Sequence, residues 1–233
     1  MAHVHLEDGA FSIQWVILWT VIAAALVSFA LYRLGGHKLP TRKLAIAAMC
    51  VAVGFAIFQV EIPVLGGVHI NLTPFMGILI GPALGSLAVF VINVFSAAVG
   101  HGGWGMIGAN TIINIIEVVL GYYLYRLLRN TANRSRFGSA FGATSIALTV
   151  SAFAAVAIIV VSEIQGSSQT RAEMFGNMLL LAAANIATGV VEGVMTGYIV
   201  SFIGRIRPDL LEGAEGKPEE HARERQSPEA ANV

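Results

Sequence analysis

The stretch that decides the fold is Leu72–Val99, LTPFMGILIGPALGSLAVFVINVFSAAV, which carries no charged side chain. A bilayer crossing needs about 20 apolar residues, so this stretch is too long for an ordinary single crossing. Gly81-Pro82 offers a natural break, because proline is tolerated in the first turn of a helix but not in its interior. The stretch is therefore either one very long helix or two short helices divided at Gly81-Pro82.

The rest of the chain is also strongly apolar. Hydrophobic residues make up 56% of the 233 residues and charged residues 12%, well below the roughly 25% typical of soluble domains. Apolar segments cover 11–34, 44–60, 72–81, 84–99, 106–124, 140–161 and 178–203. Both parities of each segment are apolar, unlike a barrel strand, and a helix satisfies its own backbone groups in lipid. The sequence predicts an all-α integral membrane protein.

The positions of Lys and Arg decide how Leu72–Val99 is divided. All but one of the 14 Lys and Arg residues lie in three gaps: around 33–43, around 126–136, and after residue 204. The positive-inside rule predicts that all three regions are cytoplasmic. Two helices meeting at a cytoplasmic Gly81-Pro82 turn satisfy this rule, whereas one long helix does not. We therefore predict seven transmembrane helices, with the amino terminus outside and the carboxyl terminus in the cytoplasm.

The first half of the divided stretch is short. At about 1.5 Å per residue, Leu72–Gly81 spans only about half a bilayer. The preceding loop, 63–71, must then dip into the membrane, where non-helical backbone is tolerated only when protein encloses it or it lines a cavity. This loop is predicted to form a site.

Two further segments complete the organisation. The amino terminus is polar and acidic where a secretory signal would be cationic, so we expect it to be retained. The predicted domains are a membrane domain at 1–206, including an amino-terminal metal-binding segment at 1–11, and a disordered cytoplasmic tail at 207–233. The tail is rich in Glu, Arg, Gly and Pro, which favours disorder.

The predicted topology sorts the six histidines. His37 and His221 fall on the cytoplasmic side and are expected to be ordinary solvated residues. The other four fall on the outer face, and these are His3, His5, His69 and His101. Clustered outward histidines favour capture of a transition-metal cation, although scattered loop residues are the alternative.

The amino terminus adds nitrogen donors to these imidazoles. If Met1 is removed, the Ala2 amine and the amide and imidazole nitrogens of His3 supply three donors, leaving a fourth position for His69. If Met1 is retained, its amine, the Ala2 and His3 amides and the His3 imidazole complete the plane. Square-planar nitrogen coordination suits Ni(II) and Cu(II).

Glycines surround two of the outer histidines. Gly66-Gly67 precedes His69, and Gly100 and Gly102-Gly103 flank His101. Glycine lets backbone approach a bound ion closely because it lacks Cβ. A plain tight turn is the alternative for both loops; we favour a functional role for His69 and leave His101 open.

Four blocks of this sequence resemble the CbiM/NikM family, the membrane-embedded substrate-binding subunits of energy-coupling factor (ECF) transporters for cobalt and nickel. The blocks are His5-Leu6-Glu7-Asp8-Gly9-Ala10-Phe11-Ser12, Gly66-Gly67-Val68-His69 with Gly81-Pro82, Gly102-Gly103 through Gly108-Ala109-Asn110, and Gly189-Val190-Val191-Glu192-Gly193-Val194-Met195-Thr196. They run from the amino terminus to about residue 200, in the order in which the family has them.

The resemblance implies a seven-helix fold that binds Ni(II) or Co(II) as cargo through the amino-terminal amine, the histidine after the initiator Met and the loop histidine. The first block aligns His5 with that histidine, whereas Met1 removal makes His3 the second residue, so both remain candidates. The predicted metal residues are thus Ala2, His3, His5 and His69. Supporting or additional ligands are His101, Asn71 and Asn110.

The resemblance also implies the cellular setting. The chain would work in a prokaryotic plasma membrane with an ECF transmembrane T component and ATPase subunits; a small accessory membrane subunit is a further candidate. No cofactor of its own is expected. The sequence has no Walker-type Gly-rich loop with Lys, which favours ATP hydrolysis in a separate chain. Ala48, Ala52 and Ala56 recur every four residues, for packing within the bundle or for docking a partner.

Other functions compete with this one. Zero formal net charge gives no indication of nucleic-acid binding, and the His-Glu-x-x-His sequence of a metalloprotease is absent. An autonomous divalent-metal carrier or channel would need a continuous polar path. Glu117 and Glu192 lie within predicted spans, where we favour interhelical hydrogen bonding over ion passage. Nickel and cobalt are not distinguished by the ligands.

Overall fold

The body of the protein is a bundle of helices that run alternately up and down. The computed structural model describes residues 9–35, 39–59, 61–62, 68–70, 72–131, 135–165 and 170–215. The main helices are α1 (Ile13–Gly35), α2 (Thr41–Phe58), α3 (Thr73–Ile80), α4 (Pro82–Ala98), α5 (Ile107–Thr131), α6 (Arg136–Ser162) and α7 (Arg171–Ile206). Shorter elements are β1 (Glu61–Ile62), β2 (Val68–His69), α8 (Glu212–Glu215) and 3₁₀ turns at Trp104–Met106 and Pro208–Leu210.

Each predicted apolar segment corresponds to one helix, but the helices differ in their capacity to cross a membrane. Within the described ranges, five helices are long and apolar enough to cross: α1, α2, α5, α6 and the Asn185–Ile206 part of α7. Helix α4 has 17 residues and α3 only 8. The fold is that of a helical membrane protein. Helices α3 and α4 together correspond to the uncharged stretch Leu72–Val99.

The break at Gly81-Pro82 is confirmed. Gly81 lies between α3 and α4 with φ of 85°, a backbone conformation that costs glycine little. Pro82 then opens α4 at a position where a helix has no need of the missing N–H. These two residues turn the chain by local chemistry alone, which is why the sequence showed the turn.

Helix α5 lies at the centre of the bundle and packs against α1, α3, α4, α6 and α8. Glycines allow the closest approaches. A Cβ on Gly77 of α3 would lie 2.1 Å from the Val118 carbonyl oxygen, and one on Gly108 would lie 2.5 Å from the Thr20 nitrogen. Dense packing of this kind is how helices associate in lipid, where burial of apolar surface gives no advantage.

One end of the bundle, here called the hairpin end, carries β1 and β2. These strands pair antiparallel, with Glu61 opposite His69 and Ile62 opposite Val68. The hairpin is a departure from the purely helical prediction, and it pairs backbone groups that would otherwise lack partners near the bundle. The Gln59 side chain donates to Ser96 Oγ at 3.3 Å, which ties the end of α2 to the end of α4.

The opposite end, here called the basic end, carries arginines that lie near the ends of the helices. Arg42 at the start of α2 forms an ion pair with Asp209 of the turn that follows α7. A recess of about 790 Å³ opens between α1, α2, the α3–α4 turn, α5 and the residues after α7, and its lining includes Arg33, Arg42 and Lys43.

The aromatic residues divide between these ends. All three Trp residues, Trp15, Trp19 and Trp104, lie toward the hairpin end. The five Tyr residues, Tyr32, Tyr122, Tyr123, Tyr125 and Tyr198, lie toward the basic end. Amphipathic rings are enriched at both water interfaces of a membrane protein. Their distribution therefore fits a bundle whose two ends face opposite membrane surfaces.

The tail predicted to begin at residue 207 is folded in its first part. Residues 208–215 form a 3₁₀ turn and α8, which return to the basic end, whereas 216–233 lie outside the described residues. Arg136 Nε donates to Glu215 Oε1 at 2.6 Å, and the Tyr125 hydroxyl donates to the same oxygen at 3.3 Å. The Glu215 side chain is only 4% exposed. The composition of the tail predicted disorder, because amino-acid composition carries no information about a long-range ion pair such as Arg136–Glu215.

The ion pair sets the protonation of Glu215. Burial acts to raise the pKa of the Glu215 carboxyl, but the hydrogen bond from Arg136 and the charges of Arg136 and Arg129 outweigh burial and lower that pKa. A carboxyl whose folded pKa lies below its unfolded value stabilises the protein above the unfolded value, and this stability is lost as pH falls through the folded pKa.

Replacing Glu215 with Gln is expected to lower the apparent melting temperature at pH 7 by roughly 4–8 °C, because about 2 kcal/mol of charge-assisted bonding is lost. The difference from wild type should shrink as pH falls below about 4. Thermal unfolding in detergent measures both effects. Glu212→Gln, at the start of the same short helix, is the matched control; an equal loss in that variant would contradict a specific role for the Arg136–Glu215 pair.

Candidate metal site

The pairing of β1 with β2 defines the backbone position of His69, the predicted loop histidine. His69 lies in β2, opposite Glu61, and β2 packs against α7. The backbone of His69 belongs to the described residues, but its side chain lies outside them, as do all atoms of Asn71. The hairpin therefore fixes where the chain bearing His69 runs, and the part of this residue in metal binding stays a prediction.

The chain enters the bundle immediately after this loop. Leu72 has φ of 52° and ψ of 25°, in the left-handed region, and its side chain is buried. Thr73, the first residue of α3, is completely buried. The start of α3 thus lies inside the protein, as expected of a loop that dips between the helices.

Two buried carboxylates meet this entry point from two different helices. Glu192 of α7 accepts a hydrogen bond from the Leu72 backbone N–H at 3.1 Å. Glu117 of α5 accepts from the Thr73 hydroxyl and, at 2.7 Å, from the Ser151 hydroxyl of α6. Both glutamates have no exposed surface. Anionic groups are favoured at a helix amino terminus, so these contacts suit the start of α3.

The amino-terminal segment joins the fold at the same end. The Ala10 carbonyl accepts a hydrogen bond from Gln165 N at 2.8 Å, just beyond the end of α6. Phe11 is buried in the core with Met106 and Ile113. The predicted ligands Ala2, His3 and His5 lie outside the described residues. What the structure does describe is the attachment of their segment to the hairpin end.

His101 and Asn110 come together in the structure. The turn after α4 places His101 N at 2.8 Å from the Ser96 carbonyl, and Gly100, Gly102 and Gly103 all have positive φ. His101 and Asn110 line one small cavity of about 10 Å³. The glycines are therefore required by the turn geometry, and a direct contact of His101 with metal stays a prediction.

A buried polar cluster continues from this cavity toward Glu117. Asn114 Nδ2 donates to Asn93 Oδ1 at 3.1 Å, and Asn93 Nδ2 donates to Thr111 Oγ1 at 3.3 Å. The sequence analysis predicted interhelical hydrogen bonds for the buried glutamates but did not identify Asn93, Thr111, Thr73 or Ser151 as polar residues of this region. The sequence did contain part of the signal for a buried polar cluster, because the polar residues at 110, 114 and 117 share one face of an otherwise apolar helix. Thr73 and Ser151 gave no comparable signal.

The described residues do not by themselves form a metal centre. Among them, no three His, Cys, Asp or Glu side chains come together in a way that could hold an ion. Ala2, His3, His5, Asn71 and the His69 side chain, which belong to the predicted donor set, lie outside the described residues, so that donor set stays a prediction.

Comparison with known proteins extends over the same parts of the chain. The family model described as "CbiM: Cobalt uptake substrate-specific transmembrane region" matches residues 5–210. The chain belongs to the CbiM family. The match covers the entry of the amino-terminal segment, the hairpin, both buried glutamates and the turn after α7.

Individual relatives agree with this membership. A putative fused nickel transport protein, NikMN, of Archaeoglobus fulgidus is 32% identical, covering 89% of this chain and 68% of the relative. A putative cobalt transport protein, CbiM 1, of Methanocorpusculum labreanum is 26% identical, covering 89% and 92%. A crystal structure described as a truncated transition metal transporter has a TM-score of 0.76 at 18% identity, covering 87% of this chain and 99% of the other.

Membership of the CbiM family fixes the general class of the protein. The family comprises cobalt and nickel transport proteins rather than enzymes. The apolar helices make this member a multi-pass membrane protein. The similarity to the solved transporter supports the fold.

Proposed function

We propose that this protein captures Ni(II) or Co(II) at the outer face of a prokaryotic plasma membrane, as the substrate-binding subunit of an ECF-type importer. The observation that carries the proposal is the convergence at one end of the bundle. The strand bearing His69, the attachment of the amino-terminal segment at Ala10, and the turn bearing His101 all belong to the hairpin end. Residues 1–9 can reach across this end, because an extended chain covers about 3.3 Å per residue.

The proposed ligands are nitrogen atoms. In the arrangement with Met1 removed, the Ala2 amine and the His3 amide and imidazole nitrogens supply three donors, and the His69 imidazole supplies the fourth. His5 replaces His3 if the family register of the opening motif holds. His101, Asn71 and Asn110 would support these ligands or add one. Four nitrogen donors in a plane suit Ni(II), and imidazole ligands also suit Co(II).

The distribution of charge supports an outward orientation of the hairpin end. Arg33, Arg42, Arg129, Arg136 and Arg205 all belong to the basic end. Cytoplasmic loops of membrane proteins carry an excess of Lys and Arg. We therefore place the basic end in the cytoplasm, which leaves the hairpin end, with its histidines, facing the external supply of metal.

The transport step is proposed to need partner subunits. Glu117 is buried and bonded to Thr73 and Ser151, as an interhelical anchor would be, which favours a binding subunit over an autonomous carrier. Ala48, Ala52 and Ala56 of α2 are exposed on the bundle surface. The alanine ridge therefore faces outward, and small residues allow another membrane helix to approach closely. This face is the proposed contact for the T component.

Uptake of radioactive Ni(II) tests the proposal. Cells that produce this chain alone are expected to take up no more metal than control cells, whereas cells that also produce a T component and ATPase subunits should accumulate it. Ala52→Trp should reduce co-purification of the T component and Ni(II) uptake by roughly tenfold or more, because the indole prevents close helix approach. Metal binding by the purified variant should stay unchanged.

The control for this variant is Val150→Trp, at an exposed position of α6. It should leave co-purification and uptake at wild-type levels. Uptake by this chain alone would instead establish an autonomous carrier. Equal losses in both Trp variants would show that the ridge is no specific contact.

A further inference from the structure

The carboxylate of Glu192 occupies an unusual place in the fold. It lies on α7, yet it accepts a hydrogen bond at 3.1 Å from the backbone N–H of Leu72, at the far end of the predicted metal loop. His69 precedes Leu72 by three residues, so their Cα atoms lie within about 11 Å of each other. Whatever fixes Leu72 therefore limits the positions that His69 can take.

Leu72 is held in a conformation that it would not adopt by preference. Its φ of 52° lies in the left-handed region, where the Cβ of a non-glycine residue is crowded. Such conformations persist only where the surrounding structure enforces them, and they cluster at functional sites. Here the enforcing contacts are burial of the Leu72 side chain and the hydrogen bond to Glu192.

The neighbouring residue is fixed from a second direction. Thr73 donates to Glu117 of α5, and Glu117 also accepts from Ser151 of α6. Glutamates of α5 and α7 thus both accept hydrogen bonds from the Leu72–Thr73 junction. A hydrogen bond is electrostatically stronger in a water-poor interior than in water.

Helix α7 contacts the loop at two points. It packs against β2, which carries His69, and it holds Leu72 through Glu192. On its other side α7 packs closely on α6: a Cβ on Gly193 would lie 2.6 Å from Ser145 Oγ and 3.0 Å from the Phe141 carbonyl. Glu192 therefore lies on a helix that is closely packed against α6.

From this geometry we propose that Glu192 is a positioning residue for metal capture, fixing the Leu72 backbone and thereby the place of the His69 ligand. The proposal rests on the proposed function, in which His69 binds Ni(II) or Co(II). Glu192 itself does not touch the metal. Its effect is exerted on affinity and on coordination geometry, through the two residues that lie between His69 and Leu72.

Ni(II) titration of purified variants tests the proposal. Glu192→Ala should weaken Ni(II) affinity by about 10–100-fold, the range found when supporting partners of metal ligands are removed. The visible absorption band of the bound Ni(II) should also shift, because the ligand plane is distorted. Glu192→Gln keeps an oxygen acceptor for the Leu72 N–H and should recover most of the lost affinity.

Thr196→Val is the matched control. Thr196 lies one turn beyond Glu192 on α7, is completely buried, and its hydroxyl makes no hydrogen bond among the described residues. This variant should bind Ni(II) as wild type does. Wild-type affinity in Glu192→Ala would overturn the proposal, and so would equal losses in Glu192→Ala and Thr196→Val.

Hydrogen exchange of the metal-free protein gives a readout that does not depend on metal binding. Peptides covering 61–72 should exchange faster in Glu192→Leu than in wild type, because leucine offers the Leu72 N–H no acceptor, whereas exchange in Glu192→Gln should stay close to wild type; unchanged exchange in Glu192→Leu would overturn the anchor. This measurement also serves if Glu192→Ala does not fold. Failure of the wild-type protein to bind Ni(II) or Co(II) would refute the proposed function, whereas the exchange result would still decide whether Glu192 holds the loop.

Discussion

Replacing His69 with Ala is expected to abolish stoichiometric binding of Ni(II) and Co(II), with affinity reduced by more than about 100-fold. Removing a residue that merely supports a metal ligand costs 10–100-fold, so removing a ligand itself should cost more. The measurement is titration of the purified protein with each metal. The protein must carry its native amino terminus, and its first residue must be identified by intact mass.

The amino-terminal variants decide which register of ligands is used. His3→Ala should have the larger effect if Met1 is removed and His3 becomes the second residue. His5→Ala should have the larger effect if the alignment of the opening motif is correct. Only one of these histidines occupies the second position of the donor set, so the two variants should differ.

Two histidines elsewhere provide controls of the same chemistry. His37 and His221 are predicted to be ordinary solvated residues, and their replacement by Ala should leave affinity unchanged. Binding that is indifferent to His3, His5 and His69 would refute the metal site. Binding lost equally in every histidine variant would indicate nonspecific imidazole coordination.

The pH dependence of binding follows from the same donor set. Metal binds neutral imidazole and unprotonated amine, so protons compete with the metal. Ordinary values are about 6.5 for imidazole and 7.7–8.0 for the α-amine. Affinity should therefore fall steadily as pH decreases through this range, which titrations at several pH values would measure.

Local chemistry explains why much of the fold was predictable. The turn between α3 and α4 depends on Gly81 and Pro82, whose backbone preferences act within a few residues. The start of α7 was not predicted: the helix begins at a capping box in which Thr170 and Glu173 exchange hydrogen bonds, before the predicted apolar segment at 178–203. Apolar segments mark the hydrocarbon part of a helix, so α5 and α7 extend beyond their predicted bounds into polar sequence.

The parts that escaped prediction depend on contacts between distant residues. The Glu215–Arg136 pair orders a segment whose composition favours disorder. The contact of Glu192 with the Leu72 N–H joins residues 120 positions apart, and no spacing in the sequence indicates it. Intramembrane carboxylates were recognisable as important because they are costly to bury. Their partners became visible only once the helices were placed.

Replacing Gly77 with Ala is expected to have the largest effect on folding. The new Cβ would lie 2.1 Å from the Val118 carbonyl oxygen and 2.9 Å from its carbon, so backbone atoms of α5 would have to move. Overpacking typically costs about 1–3 kcal/mol and occasionally more. Separation of α3 from α5 would also break the Thr73–Glu117 hydrogen bond. We expect the apparent melting temperature to fall by about 10 °C or more, or no folded protein to be recovered.

Two other glycines test whether backbone contact is the cause. A Cβ on Gly85 would meet a side-chain carbon of Val118 at 2.7 Å rather than its backbone, so Gly85→Ala should be intermediate. A Cβ on Gly176, in the exposed first part of α7, would meet nothing within 4 Å. Gly176→Ala should be neutral or stabilising by up to about 1 kcal/mol, because alanine favours helix. Thermal unfolding in detergent should rank Gly176→Ala, Gly85→Ala and Gly77→Ala in that order of stability. A stable Gly77→Ala protein would contradict close α3–α5 packing and, with it, the placement of α3 on which the buried end of the metal loop depends.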